Sequence, residues 1–292
     1  MFNIYKIFLG FILLNIPGLV LANSAISPVS NLEINKEDEN ISKRIVALTS
    51  LTADIVSKIN NSSLVGIPGS SLTIKNKELS NKVIVSQGRT PPQIEKIISL
   101  KPDLVLGSNS FHKKQLKKLS SIGIRSEGVE VRNWSDLDKL ISNLSSLTGG
   151  NSLTAQKYLN NCKLKSKNKV NNEVLVLVSA KPLLAPNSES WAGNLLERFN
   201  INNSTKLLTD KSEFKGYVNL SPEWLVSNQP DKIILVKTGP DSINSFKDLP
   251  YWRKLNAVKQ NNVTYMDYYG LINPGSLDSI NNTCLTLSKI SN

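Results

Sequence analysis

The chain has 292 residues, 40% of them hydrophobic and 20% charged, which excludes a polytopic membrane protein and indicates one large globular domain or two ordinary ones. Two cysteines and one histidine exclude a disulfide-rich scaffold, a multi-thiolate cluster and a multi-histidine metal site. The formal net charge of +12 admits nucleic acid, acidic lipid and an anionic ligand as partners, and composition does not choose among them.

The N-terminal segment predicts export from the cytoplasm. A single charge at Lys6 precedes an apolar stretch that Pro17 interrupts and that ends at Ala22. We interpret residues 1–22 as a cleaved secretory signal peptide, with a retained anchor helix as the alternative that Pro17 disfavours. Since no cysteine lies near the cut, we expect a periplasmic protein that is not a lipoprotein. Residues 23–43 are polar and without periodicity, which predicts a disordered leader.

Strand and helix patterns then alternate along the chain. In chain order, the predicted strands start at Arg44, Leu64, Lys82, Leu104, Glu173, Asp231 and Asn262. The predicted helices cover 53–59 with caps at Ser50–Thr52, a segment before the strand at Leu104, 113–121, 134–147, 153–167, 191–199 and the region from about 276 onwards. This alternation predicts parallel α/β layering, with an N-terminal lobe at 44–150, a linking helix at 151–169 and a C-terminal lobe at 170–292.

One motif occurs in both halves. Glu95 and Glu223 each lie seven residues before a proline, Pro102 or Pro230, and an Asp and an apolar strand follow. The proline ends a helix that it cannot continue and sets the turn into the strand. Each Glu lies near a helix start, after Thr90–Gln93, which resembles a capping box, or after Ser221 and Pro222. Stabilisation of these helix starts is therefore one explanation of the repeat.

Two α/β lobes leave a cleft between them, and ligands of parallel sheets bind beyond the carboxyl ends of the strands. The predicted loops there are rich in aromatic and hydrogen-bonding side chains with isolated cations, which favours binding a polar organic molecule over catalysis. The candidate residues are Ser50, Leu51, Thr52, Gln87, Gly88, Arg89, Ser108, Asn109, Ala180, Lys181, Pro182, Trp191, Tyr217, Tyr268 and Tyr269.

From residue 44 to the end, the chain resembles the periplasmic substrate-binding proteins of ABC importers for iron–siderophores, haem and vitamin B12. The segments that carry the resemblance are Arg44-IVALTSLTADIV, Ser86-QGRTPPQIEKIISLKPDLVLG, Asn219-LSPEWLVSNQPDKIILV and Trp252-RKLNAVKQNNVTYMDYYGLINPGSLDSI. It implies a class III fold, in which two Rossmann-like lobes are joined by a single long backbone helix and move only modestly on binding.

The resemblance also implies residue roles. Glu95 and Glu223 correspond to the positions that dock onto the permease, which replaces helix stabilisation as our preferred explanation. Arg89 and Tyr217 correspond to ligand-contacting positions, and Arg89 favours an anionic chelate. Trp191 corresponds to a bulky residue at the cleft lip, with a core position packed on Leu195 as the alternative.

The expected function is that of a monomeric solute-binding protein, not an enzyme, that captures a metal chelate, foremost an iron(III)–siderophore complex, and delivers it to an ABC importer. Cobalamin and haem are alternative ligands because the aromatic candidates suit a corrin ring, a haem or a catecholate about equally well. The chain also departs from the family at Asn273-Pro274-Gly275-Ser276-Leu277, where a cation near the cleft is common. A non-transport envelope protein or an enzyme on the same fold is the further alternative. We expect no cofactor, bound metal or nucleic-acid partner.

The remaining candidates have structural explanations. Cys162 and Cys284 either form a disulfide or remain two buried thiols. His112 is interpreted as a surface residue because lysines flank it. Tyr265, Tyr268 and Tyr269 are interpreted as packing residues, with phenolate ligation of iron as the minor alternative. Four lysines between 113 and 118 are interpreted as a solvated face.

Overall fold

The computed structural model describes residues 41–87, 90–163, 170–209 and 212–291. The predicted signal peptide and residues 23–40 of the predicted leader lie outside these ranges, as does Arg89. Within the described ranges, no helix combines the length and the apolar character that a bilayer crossing requires.

The first lobe is built on a five-stranded parallel sheet with the strand order β3-β2-β1-β4-β5. Its strands are β1 Ile45–Ala47, β2 Leu64–Gly69, β3 Val83–Gln87, β4 Leu104–Ser108 and β5 Ser126–Val129. Its helices are α1 Ser50–Asn60, α2 Ser71–Ile74, α3 Ile94–Ser99, α4 Lys113–Ser121 and α5 Trp134–Thr148, with 3₁₀ turns at Asn61–Ser63 and Lys77–Leu79. Both faces of this sheet are covered, so successive residues of β1 are buried on opposite sides: Ile45 packs in one apolar cluster and Val46 in another.

The segment between the lobes is helical but irregular. After α6, Ser152–Gln156, the chain continues as 3₁₀ turns over Lys157–Cys162, and Leu159 departs from helical geometry. The Asn161 N–H donates to Asn281 Oδ1 at 2.9 Å, where a regular helix would use a carbonyl four residues earlier. We predicted a linking helix at 151–169; among the residues that the structure describes, the regular helix covers only Ser152–Gln156 and is thus shorter than expected. Residues 164–169 lie outside the described ranges.

The second lobe contains two sheets. A parallel sheet has the order β12-β11-β6-β9, and a small antiparallel sheet has the order β10-β8-β7. The strands are β6 Val170–Leu177, β7 Ser179–Ala180, β8 Leu183–Pro186, β9 Ile201–Asn203, β10 Tyr217–Leu220, β11 Lys232–Lys237 and β12 Val263–Asp267. The helices are α7 Trp191–Arg198, α8 Pro222–Asn228, α9 Ser242–Lys247, α10 Asn256–Lys259, α11 Tyr268–Leu271 and α12 Leu277–Ile290, with a 3₁₀ turn at Trp252–Lys254. The predicted two-lobe α/β class is confirmed, while the antiparallel sheet was not predicted.

The C-terminal helix α12 connects the lobes a second time. It packs on the 3₁₀ segment Lys157–Cys162 and contacts α1 of the first lobe. Cys284 of α12 and Cys162 are joined by a disulfide with an S–S distance of 2.03 Å. The lobes thus share two crossing segments, and the apolar cluster beneath them contains buried residues from both lobes.

A cluster of charged side chains around the buried ammonium group of Lys58 lies where α12 meets α1. Lys58 Nζ lies 2.7 Å from Asp54 Oδ1 and 2.9 Å from Asp278 Oδ2, and 4.2 Å from the centre of the Tyr158 ring. The Leu277 N–H donates to the other Asp54 oxygen at 2.8 Å. We call Asp54, Lys58 and Asp278 the junction cluster. It satisfies an otherwise unpaired N–H at the start of α12 and holds this helix against the first lobe.

Candidate functional site

The loop after β1 is only partly accessible. Ser50 is half-buried, and its hydroxyl oxygen lies 2.7 Å from that of Ser70, which caps α2. Leu51 and Thr52 are buried, and the Thr52 hydroxyl donates to the Thr49 carbonyl at 3.0 Å in the first turn of α1. Of the three residues that we predicted here, Ser50 alone retains substantial solvent exposure.

A carboxylate at the end of β5 organises the neighbouring loop. Glu130 Oε1 accepts hydrogen bonds from the Ser110 backbone N–H at 2.9 Å, the Ser110 hydroxyl at 2.6 Å and the Ser108 hydroxyl at 3.0 Å. Partial burial would raise the Glu130 pKa, but these hydrogen bonds and the charge of Arg132 outweigh it and lower the pKa. Ser108, a predicted contact, is buried and points to this carboxylate, whereas Asn109 is exposed. Sequence reasoning missed Glu130 because no motif marks it.

His112 belongs to the same loop. It is half-buried, and its Nδ1 accepts the Ser108 N–H at 3.0 Å. Burial lowers its pKa, which together with the accepted hydrogen bond favours the neutral ring. His112 is thus a surface residue only in part, because the turn between β4 and α4 folds the ring back onto the backbone.

The second lobe contributes three tyrosines at one place. Tyr268 and Tyr269 follow β12, and their rings meet edge to face with centroids 5.4 Å apart. Tyr217 starts β10, and its pKa is raised by burial and by the nearby Tyr268. All three are half-buried. The three phenol side chains are thus brought together, and the predicted ligand contacts of Tyr217, Tyr268 and Tyr269 stay a prediction. Tyr265 lies apart from them with 43% exposure.

Trp191 is not at a cleft lip. It is 4% exposed, stacks on Trp134 of the first lobe with centroids 6.3 Å apart, and donates from Nε1 to the Gly270 carbonyl at 2.8 Å. Gly270 adopts a positive φ of 94° and lies against the Ser279 carbonyl, where a Cβ would clash. Ser190 caps α7, so that Trp191 is the first residue of this helix, and its side chain is buried in the core. The alternative that we kept, a core position in the same cluster as Leu195, describes Trp191 correctly.

A cavity of about 690 Å³ lies between the lobes beside this tryptophan pair. The Arg198 guanidinium carbon lies 3.9 Å from the centre of the Trp134 ring, and Arg198 Nε is buried without a hydrogen-bond partner. The backbone N–H of Trp134 donates to Asn194 Oδ1 at 2.9 Å across the lobes. The cavity is lined by Arg132, Asn133, Trp134, Ser135, Ser188, Glu189, Asn194, Glu197, Arg198, Asn200 and Lys215. Three cations and two carboxylates thus face a space that both lobes form.

The repeated glutamates are exposed at equivalent places. Glu95 lies in the first turn of α3 and Glu223 in the first turn of α8. Ser221 caps α8 through the Trp224 N–H at 3.1 Å, as predicted. The capping box at Thr90–Gln93 was a wrong prediction, because α3 begins after Gln93 without a side-chain cap and the Thr90 hydroxyl donates to the Gln87 carbonyl. Hydrogen bonds from its own N–H and from Ser221 lower the pKa of Glu223.

The remaining predicted loops are placed as follows. Ala180 is buried, and Lys181 and Pro182 form the exposed turn between β7 and β8, with a cis peptide bond between them. Gln87 is exposed at the end of β3, whereas Gly88 and Arg89 lie outside the described residues. The predicted ligand contact of Arg89 therefore stays a prediction.

The fold and the residues that it brings together are those of a two-lobed binding protein. The family model described as periplasmic binding protein matches residues 45–269, and the chain belongs to this family. It is 26% identical over 225 residues to a Bacillus subtilis protein assigned as an ABC transporter substrate-binding lipoprotein, with 66% of this chain and 67% of that protein covered.

Two further comparisons agree. A Bacillus subtilis Fe(3+)-citrate-binding protein is 28% identical over 184 residues, which cover 60% of this chain and 56% of the relative. The crystal structure of an ABC transporter substrate-binding protein from Listeria monocytogenes has the same fold, with a TM-score of 0.67 and 22% identity over 85% of this chain and 98% of that chain. The alignment with the iron–citrate protein thus spans little more than half of that relative.

Proposed function

We propose that the protein is the substrate-binding component of an ABC importer and holds an anionic metal chelate between its lobes. The observation that carries this proposal is the inter-lobe cavity, to which the first lobe contributes Arg132 and the second lobe Arg198 and Lys215. Guanidinium groups bind carboxylates and other planar oxygen donors well. Family membership and the iron–citrate relative support an iron(III) chelate, a class that includes siderophore complexes.

Direct titration tests the ligand class. Trp134 lines the cavity and stacks on Trp191, so we expect binding of ferric citrate or a ferric siderophore to change the intrinsic fluorescence saturably. Cobalamin and haemin are titrated in parallel, and tight binding of one of them without any response to ferric chelates would replace the proposed ligand. Mass spectrometry of the recovered ligand should show it chemically unchanged, whereas a converted product would identify an enzyme.

Arg132 provides the residue-level test. It is exposed and lines the cavity, so R132Q should weaken binding of an anionic chelate about tenfold or more, the effect of losing one charge-assisted hydrogen bond. The matched control is R253Q, which removes an exposed arginine from the 3₁₀ turn Trp252–Lys254. Equal loss in both variants would mean that net charge, and not the cavity, determines affinity.

We further propose that Glu95 and Glu223 dock onto basic residues of the importer. Both side chains are exposed at the starts of short helices, and exposed ion pairs contribute more to orientation and encounter rate than to affinity. The E95K/E223K variant should therefore bind the ligand as the wild type does and fail to support uptake. Uptake at the wild-type rate would contradict the docking role.

We place the protein outside the cytoplasm as a monomer without a lipid anchor. The Cys162–Cys284 disulfide favours an oxidising compartment, and the predicted signal peptide provides the route. Cell fractionation followed by N-terminal mass analysis should find a mature chain that starts at Asn23. A mature chain that retains residues 1–22 would instead support an N-terminal anchor.

A further inference from the structure

Helix α4 presents a compact cationic face. Lys113, Lys114, Lys117 and Lys118 occupy positions i, i+1, i+4 and i+5, which lie on one side of an α-helix. All four are exposed, while Leu116 and Leu119 are buried against the sheet on the opposite side. We call these four residues the α4 lysine face. Four positive charges are therefore held within two turns of a structured helix.

Local structure does not account for these charges. The first turn of α4 contains no acidic residue and starts with two lysines. This charge is unfavourable, because the helix dipole favours anions at the N-terminal end of a helix. None of the salt bridges between the described residues includes a lysine of this face. The face consequently has positive charge available for a partner outside the chain.

Apolar side chains flank the lysines. Phe111, two residues before the helix, is 84% exposed, and Ile122, directly after it, is 52% exposed. A basic helix face beside an exposed aromatic ring is the chemistry of a bilayer interface, where lysines meet lipid phosphates and the ring enters the headgroup region. Single-stranded nucleic acid would instead need several aromatic rings between the cations.

We infer that the α4 lysine face and Phe111 bind the surface of a bilayer that contains anionic phospholipids. The position of the face agrees with this role. Since α3 follows β3 and α4 follows β4 in one parallel sheet, both helices start at the same sheet edge, which also presents Glu95. Binding to lipid requires neither the ligand nor the importer, so its failure would leave the proposed transport function untouched.

Vesicle sedimentation of the full mature chain tests the inference. We expect binding to vesicles of 70% phosphatidylcholine and 30% phosphatidylglycerol in about 0.1 M salt, and much weaker binding to phosphatidylcholine alone or at about 0.5 M salt. Substitution of the four lysines by glutamine, which keeps helix propensity, should weaken binding on the order of a hundredfold. The variant F111S should weaken it by a smaller factor.

The control variant removes four exposed lysines elsewhere, K247Q/K254Q/K259Q/K289Q, and has the same net charge as the α4 variant. It should keep most of the vesicle affinity. Equal losses in both variants would overturn the inference in favour of a general charge effect. Absence of binding by the wild type, or binding that salt does not weaken, would overturn it as well, and neither outcome depends on how the variants fold.

Discussion

Lys58 has two carboxylates and an aromatic ring around its buried ammonium group. Although burial favours the neutral amine, Asp54 and Asp278 outweigh it and raise the Lys58 pKa. The variant K58M would leave the Asp54 carboxylate buried without its partner, and we expect it to lower the free energy of unfolding by about 3 kcal/mol. Urea denaturation at neutral pH measures this loss.

The junction cluster contains its own control. The Asp278 side chain is 61% exposed, whereas that of Lys58 is 2% exposed, so D278N should cost no more than about 1 kcal/mol. Similar losses in K58M and D278N would show that burial of Asp54 does not determine the effect. The contribution of Lys58 to the free energy of unfolding should be complete below about pH 10.5. It should be lost as the pH rises through the raised pKa that Lys58 has in the folded protein.

His112 makes a second residue-scale prediction, which concerns pH. Its pKa in the folded protein lies below the ordinary value of 6.5, so the unfolded chain binds the proton more readily than the folded one. Stability should therefore be complete above about pH 6.5 and fall as the pH drops below it. Because the chain has one histidine, thermal unfolding between pH 7.5 and 5.5 should show this loss in the wild type.

The variant H112Q keeps a side chain able to accept the Ser108 N–H but cannot titrate. Its melting temperature should change less over the same pH interval than that of the wild type. Parallel curves for the two proteins would exclude His112 as the source. Glu130, whose pKa is also lowered, titrates below about pH 4.5 and does not interfere in this interval.

At the scale of elements, α12 is fastened to the linking segment by the Cys162–Cys284 bond. The two cysteines are 122 residues apart in sequence, and a bond that closes so long a loop restricts the unfolded chain strongly. The C162S/C284S variant should lose about 2–5 kcal/mol of unfolding free energy. A reducing agent should destabilise the wild type similarly and leave the variant unchanged, whereas equal sensitivity of both would exclude the bond as the cause.

The length of the local apolar pattern determines which strands can be predicted from the sequence. The strands β1, β4, β6 and β11 were predicted, because each contains an apolar run of the kind that a sheet covered on both faces needs; in β6 this run is Val174–Leu177. The strands of the small sheet were missed: Ser179–Ala180 has two residues, and in Tyr217–Leu220 buried Val218 alternates with exposed Asn219. Such segments become strands through pairing with a distant partner, which no local pattern shows.

The lining of the inter-lobe cavity was not predicted from the sequence: none of the predicted ligand contacts that the structure describes lines it. Loops at the carboxyl ends of strands follow from topology, so Ser50, Tyr268 and Tyr269 could be placed at strand ends, and their ligand contacts stay a prediction. The inward direction of Trp191 and the role of Glu130 depend on contacts across the fold. Likewise, in the sequence Asp54 and Lys58 resemble an ordinary surface ion pair four residues apart. Their burial depends on α12, which contributes Asp278 from more than 200 positions further along the chain.

At the scale of the whole molecule, the lobes share one apolar cluster. Ile45 and Leu106 of the first lobe belong to the same cluster as Val176 and Ile234 of the second. We therefore expect urea to unfold both lobes in a single transition, with the fluorescence and far-UV circular dichroism curves superimposed. Two separated transitions would mean that each lobe is stable alone.

The bond between Cys162 and Cys284 also makes the intervening chain a covalent ring. A protease that cuts one exposed loop within it, for example near Leu207, which is 81% exposed, would open the ring without releasing either piece. The nicked protein would migrate at full mass on a non-reducing gel and separate into two fragments only after reduction. Residues 162–284 can thus be cut once while the protein remains in one piece.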